Sequence, residues 1–224
     1  MRDLGVVSFV PNLGTFHLSD DFTCGGVAAT AIPNWTETNS ASGTNTKQAG
    51  GVNHSGVLRL TTGAASGNNK RLHLGNTASD PSFSPANFDR FIWIVRIPTI
   101  TTVTVRLGLM QDISAASGGT AGAYFQFDPA VSAGWQTVTR QASASTANTS
   151  INVVAGSWYA LEARRLDSGN WEFWINGVLR FTHSATPPTT DCAFGVFVAT
   201  GAAAARNVDL DYCFARGNLG QMWT

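Results

Sequence analysis

Apolar and polar side chains alternate along most of the chain, which is the pattern of β-strands rather than helices. Residues 103–109 carry valine or leucine at every second position, and residues 171–175 alternate in the same way. Successive side chains of a strand point to opposite faces, so each segment has one apolar face. Further β-branched or aromatic runs lie at residues 57–62, 71–74, 89–97, 122–127, 135–140, 149–154, 157–166, 178–183, 193–199 and 207–214.

Clusters of Gly, Ser, Asn and Pro separate these runs at intervals typical of a β-sandwich or barrel. Asn176-Gly177 predicts a type I′ turn, because both residues accept a positive φ, and makes residues 171–183 a hairpin. Residues 89–97 are apolar on both faces at their centre, which predicts a central strand that is covered on both sides. The chain is therefore predicted to be all-β.

Three segments lack this strand pattern. Residues 36–56 contain one apolar side chain besides alanine, Val52, and are predicted to form a long surface loop or a weak edge strand. Residues 112–122 and 141–148, rich in Ala, Ser and Gly, are predicted to be loops. No second apolar core and no internal repeat are evident, so we expect one domain.

The order of motifs in the second half of the chain resembles a known family. Ser-Trp-Tyr-Ala-Leu at 157–161, Trp-Glu-Phe-Trp-Ile-Asn-Gly at 171–177 and Val-Asp-Leu-Asp-Tyr at 208–212 resemble recurring strands of concanavalin A-like lectin/glucanase domains, the laminin-G-like jelly rolls. Asp20-Asp21-Phe22 and residues 57–60 resemble the first strands of that family. The resemblance implies a two-sheet antiparallel jelly-roll sandwich over residues 19–216.

The two ends of the chain lie outside this resemblance. Residues 1–18 are rich in apolar side chains, which suits a segment that docks on its own domain or on a partner. Residues 217–224 form a tail with the same character. The N-terminus does not resemble a signal peptide, because its apolar stretch is interrupted and ends at Pro11.

Charge is sparse and balanced. The 224 residues include 14 basic and 14 acidic side chains, and only 12% of the chain is charged. Nucleic-acid binding requires clustered basic residues, so we expect no nucleic-acid partner. With only two lysines, Lys47 and Lys70, and no apolar run of about 20 residues, we also expect no membrane partner.

The carboxylates do not form a recognisable catalytic motif. Glucanases of the concanavalin A-like family that this chain resembles carry Glu-x-Asp-x-x-Glu on one strand. The three glutamates of this chain, Glu37, Glu162 and Glu172, are instead dispersed. Glycoside hydrolysis requires two carboxyl groups about 5–10 Å apart, and the spacing does not require Glu162 and Glu172 to meet. Nucleophile and zinc-protease motifs are absent from the sequence. We predict no enzymatic activity and no cofactor.

Metal and disulfide chemistry leave alternatives open. Asp209 and Asp211 are expected to share a strand face, where they could bind Ca²⁺ or perform acid–base chemistry. The alternative is that they are solvated or pair with Arg206 and Arg216. We predict no metal site. The three cysteines, Cys24, Cys192 and Cys213, are interpreted as buried thiols, with a Cys192–Cys213 bridge as the alternative.

The tryptophans supply the candidate ligand-binding residues. Trp174 alternates along its strand with the apolar residues of 171–175 and shares its face with Glu172 and Asn176. Trp135 precedes the polar residues Gln136 and Thr137. Exposed rings can stack on sugars while amides and carboxylates bind hydroxyl groups. Core packing is the alternative for both rings. We therefore predict a glycan-binding site that comprises Trp174, Trp135, Glu172 and Asn176.

Similar lectin-like modules, poor in charge and rich in small residues, occur in tailed-phage virion proteins. That resemblance implies a non-catalytic structural protein that decorates or cements a phage capsid or tail. Its partners would be a capsid or tail protein or further copies of itself, and it would be located in the virion after synthesis in the host cytoplasm. The alternative is a carbohydrate-binding module, and a glycan-active hydrolase ranks last.

Overall fold

Two antiparallel sheets form the protein. The computed structural model describes residues 8–10, 15–22, 35–49, 54, 56–74, 83–114 and 119–218. The strands, in chain order, are β1 (Ser8–Val10), β2 (Thr15–Asp20), β3 (Thr36–Asn39), β4 (Thr44–Gln48), β5 (Val57–Thr61), β6 (Asn69–Leu74), β7 (Phe88–Arg96), β8 (Val103–Met110), β9 (Ala121–Phe127), β10 (Gly134–Gln141), β11 (Ser143–Asn152), β12 (Trp158–Arg165), β13 (Trp171–Ile175), β14 (Val178–His183), β15 (Ala193–Thr200) and β16 (Asn207–Asn218). A short 3₁₀ helix, Pro85–Asn87, precedes β7.

The strands divide between a seven-stranded and a nine-stranded sheet. The seven-stranded sheet has the order β11-β10-β9-β8-β15-β6-β3. The nine-stranded sheet has the order β1-β2-β16-β7-β12-β13-β14, and β5 pairs with β16 and carries β4 at its other edge. Every pairing between these strands is antiparallel, so the all-β, two-sheet antiparallel prediction is confirmed.

Aromatic rings from both sheets pack between them. Trp93 of β7 stacks on Phe194 of β15 with 5.0 Å between ring centroids. Phe125 of β9 meets Phe173 of β13 edge to face at 5.1 Å. All four rings are buried, and each alternates along its strand with side chains that point away from the core. The alternation seen in the sequence is therefore the alternation between this core and the two outer faces.

The Asn-Gly hairpin is confirmed. Asn176 and Gly177 have φ values of 51° and 77°, as a type I′ turn requires, and β13 pairs with β14 across them. β7 is central, between β16 and β12, as predicted. The expectation that both of its faces are covered is wrong, because Ile92 and Ile94 remain half-buried on the outer face of the sheet.

The predictions for the polar segments need correction at one place. Residues 141–148 are predicted to be a loop, but most of them lie in β11, an edge strand that pairs with β10. Its side chains are small and mostly exposed, so the backbone pairing with β10, and not an apolar face, holds this strand in the sheet. β3 and β4, within residues 36–56, are short strands at sheet edges. In residues 112–122, β9 begins at Ala121, and 115–118 lie outside the described residues.

Strands from the first and last parts of the described chain pair in the nine-stranded sheet. β2 pairs with residues 213–218 of β16, and β1 pairs with β2. The other residues of the two predicted terminal segments, 1–7, 11–14 and 219–224, lie outside the described residues. No helix in the part of the chain that the structure describes is long and apolar enough to cross a membrane.

The cysteines do not form the bridge offered as an alternative. Cys192 and Cys213 are both free and buried in the core. Cys192 adjoins β15 of the seven-stranded sheet and Cys213 lies in β16 of the nine-stranded sheet, so the two residues are not on paired strands. Cys24 lies outside the described residues.

His183 links the two sheets at one edge of the sandwich. It ends β14 in the nine-stranded sheet and forms hydrogen bonds with the hydroxyl groups of Thr137 in β10, at 2.9 Å, and Ser145 in β11, at 3.1 Å. The ring is only 2% exposed. Burial lowers the pKa of His183 to about 4, so the folded protein holds a neutral imidazole at neutral pH.

This link predicts a specific loss of stability in acid. An unfolded histidine has a pKa of about 6.5, whereas His183 in the folded protein has a pKa of about 4. Between these two pH values, His183 binds a proton in the unfolded chain but not in the folded one. The stabilisation is complete above pH 6.5 and is lost as the pH falls through about 4. We expect a loss of up to about 3 kcal/mol from this residue, measured by urea unfolding at a series of pH values.

His183→Gln provides the control, because its amide can bond to both hydroxyl groups but does not titrate. We expect its unfolding free energy to fall less steeply than that of the wild type between pH 6.5 and 4. Equal slopes for the two proteins would contradict the assignment.

Candidate functional site

A row of outward-facing side chains crosses all seven strands of the smaller sheet. Their alternate neighbours, such as Leu72, Val105 and Val196, point into the core. With about 4.8 Å between strands, the row is about 29 Å long. The register of the six neighbouring strand pairs aligns one residue from each strand. From β3 through β6, β15, β8, β9 and β10 to β11, these residues are Thr38, Arg71, Phe197, Arg106, Gln126, Gln136 and Asn148. We call these seven residues the polar row.

The adjacent row on the same face has two glycines at its centre. Gly195 and Gly108 pair with each other, flanked by His73 on one side and Tyr124 on the other. A Cβ atom on Gly195 would lie 2.3 Å from the backbone oxygen of Leu72, so only glycine fits there. As a result, no side chain of this row stands between His73 and Tyr124.

Arg106 is the central cation of the polar row and is only 7% exposed. Its Nε donates a hydrogen bond to Oε1 of Gln126 at 2.8 Å, and its guanidinium lies 5.3 Å from the centroid of the Phe197 ring. Nη1 is buried without a hydrogen-bond partner, and Arg106 forms no ion pair with any described carboxylate. Burial lowers the pKa of this arginine. The face therefore holds a buried cation with no direct counter-charge.

Two further arginines flank this cation. Arg140 forms a side-chain hydrogen bond with Tyr124, and burial raises the pKa of the phenol, which stays protonated at neutral pH. Arg71, two strands from Arg106, has a buried Nε without a hydrogen-bond partner. Burial also lowers the pKa of Arg71. The face thus combines positive charge with neutral hydroxyl and amide groups.

The nearby acids on this side have partners of their own. Asp128 accepts hydrogen bonds from the backbone N–H of Ala130, at 3.0 Å, and from the Thr104 hydroxyl, at 3.3 Å. Asp112 accepts hydrogen bonds from the backbone and the hydroxyl of Ser114. Both carboxylates also attract the arginines at longer range.

Apolar side chains lie beside the polar groups on this face. They form a small cluster, separate from the main core, that comprises Met110, Ile113, Tyr124, Val138 and Phe197. Phe197 belongs both to this cluster and to the polar row. All five are at most 3% exposed, so they support the polar groups and offer little surface of their own.

The residues predicted from the sequence lie elsewhere. Trp174 and Glu172 are half-buried on the outer face of the nine-stranded sheet, where Nε1 of Trp174 donates to Glu172 at 3.2 Å. The guanidinium of Arg164 lies 4.3 Å from the centroid of the Trp174 ring. Asn176 is in the hairpin turn, and its Oδ1 accepts a hydrogen bond from the backbone N–H of Ala160. These three residues lie near one another, but each already has a partner.

Trp135 is not with them. It is 0% exposed and packs in the core against Phe127 and Tyr159. The expected exposure of this ring is therefore wrong, and the core-packing alternative applies. The inward side chains of β10 include Thr137 and Thr139, whose hydroxyl groups bond to His183 and to the backbone of Ala185, so polar neighbours did not mark an outer face.

Several other charges of the nine-stranded sheet are paired. Glu162 forms ion pairs with Arg90, at 2.5 Å, and with Arg164. Asp209 is 0% exposed and bonds to Arg59 and Arg96, both at 2.6 Å.

The calcium alternative for the aspartates has no support in this arrangement. Both oxygens of Asp209 bond to arginines, and Asp211 bonds to His54 at 2.9 Å. Nowhere in the described ranges do three or more His, Cys, Asp or Glu side chains gather in a way that could hold a metal ion.

The polar row was missed because it exists only after the strands are in register. In the sequence, Arg106 is one of the polar positions that alternate with Val105 and Leu107, which predicts an ordinary solvent-facing residue. The available signal was an arginine at the centre of a strongly apolar strand in a chain with few charges. Its neighbours, Phe197 above all, come from distant parts of the sequence.

The chain was compared with protein families and with solved structures. The SO2946-like, C-terminal domain family matches residues 53–211, more than half of the chain. The structure of SO2946 from Shewanella oneidensis MR-1, a protein of unknown function, superposes with a TM-score of 0.67 at 11% identity, covering 96% of this chain and 90% of that one. Among curated proteins, none matches the sequence significantly.

Other similar structures are lectins and glycan-active enzymes. The carbohydrate recognition domain of Emp47p has a TM-score of 0.58 at 11% identity and covers 90% of this chain and 94% of that one. A Bacteroides ovatus mixed linkage glucan GH16 protein, in complex with its G4G4G3G product, has a TM-score of 0.57 at 14% identity, with 88% and 98% covered. These likenesses establish the concanavalin A-like lectin/glucanase jelly-roll fold that the sequence motifs predict.

The unpaired charge of Arg106 predicts an unusual result for a substitution in a buried position. Arg106→Met keeps most of the apolar stem and removes a buried cation that lacks a direct counter-charge, whose burial costs free energy. We expect the free energy of unfolding to rise by about 1 kcal/mol or more, measured by urea denaturation.

Arg96→Met is the matched control, because Arg96 is bonded to the buried carboxylate of Asp209. This variant should be destabilised, since it removes a partner of a buried charge. A loss of stability in Arg106→Met as large as that in Arg96→Met would show that Arg106 serves the fold.

Proposed function

We propose that this chain, which belongs to the SO2946-like C-terminal domain family, binds carbohydrate on the outer face of its seven-stranded sheet. The observation that carries the proposal is the polar row, which aligns amide, guanidinium and hydroxyl groups with an aromatic ring across seven strands. Sugars present hydroxyl groups that donate and accept hydrogen bonds, and amide side chains do both. A row about 29 Å long suits an extended oligosaccharide better than a single small molecule.

The similar structures support a glycan as the ligand. They include a carbohydrate recognition domain and a GH16 protein in complex with an oligosaccharide product. An endo-β-1,4-glucuronan lyase also shares the fold, with a TM-score of 0.54. Because the identities are 11% to 14%, these proteins support the class of ligand and not its identity.

Binding without catalysis is part of the proposal. Glu162 and Glu172 are on the nine-stranded sheet. Glu37 precedes Thr38 on β3, but it is in register with the core residue Leu72 on the other face and forms an ion pair with Lys70 at 3.3 Å. The acids nearest to the row, Asp112 and Asp128, accept hydrogen bonds from their own loops or from a neighbouring strand. This arrangement differs from the carboxylate pair that glycoside hydrolysis uses.

The virion role remains a prediction from the sequence resemblance. A module that decorates a capsid or tail can also bind host glycans, so the two roles are compatible. If the chain assembles with itself, light scattering after size-exclusion chromatography should give a mass above 23.7 kDa. A strictly monomeric protein at high concentration would count against self-assembly.

A glycan array followed by isothermal titration calorimetry with the best ligand tests the proposed site. Gln126 is half-buried in the polar row, so Gln126→Ala should remove a hydrogen bond to the ligand. We expect the Kd to rise about 3- to 10-fold. Gln48→Ala in β4 of the other sheet is the matched control, because it deletes the same side chain away from the row, and its Kd should not change.

Trp174→Ala distinguishes the two outer faces. If the glycan lies on the polar row, this variant should bind as the wild type does. A large loss with Trp174→Ala and none with Gln126→Ala would move the site to the nine-stranded sheet. Absence of binding to any glycan at high protein concentration would overturn the proposed function.

A further inference from the structure

We propose that the glycan bound on this face is acidic and that Arg106 binds the carboxylate of a uronic acid residue within it. This inference rests on the proposed function and specifies its substrate class. It starts from the guanidinium of Arg106, which is more than nine-tenths buried and has an Nη1 group without a hydrogen-bond acceptor. Native proteins rarely leave such a donor unsatisfied, so its presence calls for an explanation.

The orientation of this guanidinium is fixed before any ligand arrives. Gln126 accepts the hydrogen bond from Nε at 2.8 Å. The centroid of the Phe197 ring lies 5.3 Å from the central carbon, Cζ, of the guanidinium. Gln126 in turn donates to Oε1 of Gln136 at 3.3 Å, so the contact extends along the polar row. An arginine held in this way loses little conformational freedom on binding.

The charge around Arg106 favours an anion. Arg140 lies close enough to lower the pKa of Arg106, and Arg71 is on the other side of Phe197 in the same row. The carboxylates that act on these arginines from a distance, Asp112 and Asp128, bond to other groups. An anionic ligand would supply both the missing acceptor and the missing direct counter-charge.

A carboxylate is the anionic group that we assign to this site. A planar guanidinium binds a planar carboxylate through parallel hydrogen bonds, and a uronic acid carries that group directly on a sugar ring. The polar row also contains the amides of Gln126, Gln136 and Asn148, which can form hydrogen bonds with the hydroxyl groups of the adjoining sugars. The row therefore combines one charged position with several neutral ones.

The test uses oligosaccharides of glucuronate, galacturonate and mannuronate, each paired with its carboxyl-reduced, neutral counterpart, and a sulfated neutral oligosaccharide. Binding to the full chain is measured by isothermal titration calorimetry. We expect at least one uronate oligosaccharide to bind about 10- to 100-fold more tightly than its reduced counterpart, as expected for a charge-assisted hydrogen bond.

Arg106→Met should abolish this preference, so that the uronate and the neutral oligosaccharide bind equally weakly. Arg106→Lys keeps the charge without the planar fork and should retain a smaller preference. Arg216→Met, the same change on the exposed outer face of the nine-stranded sheet, is the matched control and should keep the full preference. Thermal unfolding of each variant distinguishes lost contacts from a lost fold.

The possible negative results separate a failure of this inference from a failure of the proposed function. Equal binding of the acidic and neutral oligosaccharides, with no effect of Arg106→Met, would overturn this inference and leave the proposed function intact. Preference for the sulfated oligosaccharide over every uronate would overturn the assignment of a carboxylate. If no glycan of any kind binds, the proposed function fails, and the inference with it.

Discussion

Burial of aromatic rings between the two sheets is the constraint on which the rest of the structure depends. Trp93 against Phe194 and Phe125 against Phe173 join the sheets through their inner faces. Because side chains alternate along each strand, this packing assigns every intervening residue to an outer face. The register of the strands then decides which outward residues become neighbours, and it is this register that assembles the polar row from β3, β6, β8, β9, β10, β11 and β15.

Buried charged side chains have different partners on the two outer faces. On the nine-stranded sheet, Asp209 is enclosed by two arginines and Glu162 by two others, and such pairs balance the cost of removing charge from water. On the seven-stranded sheet, Arg106 is buried beside an amide and a phenyl ring instead. Its buried cation has no ion-pair partner among the described carboxylates, in a chain of which only 12% is charged.

The strands and their class could be predicted because they depend on local alternation, and the hairpin because Asn176 and Gly177 both accept a positive φ. Residues 143–148 of β11 could not, since their small polar side chains contain no apolar face and their position comes from pairing with β10. The site was missed for a related reason. Alternation shows that Trp135 and Gln136 face opposite ways but not which one faces inward, and hydrogen bonds to the inward threonines of β10 decide this.

A surface selected only for stability would not keep Arg106. A methionine or leucine at this position would pack against Phe197 and the adjoining apolar cluster without the cost of burying a charge. The arginine is tolerated because the large core between the sheets supplies stability elsewhere, as is common where function requires an unfavourable residue. The same buried environment that makes the free cation costly would strengthen its attraction to an anion, since low polarity enhances electrostatic interactions. Under the proposed function, the cost of burying this cation and its attraction to an anionic ligand would thus have one physical origin.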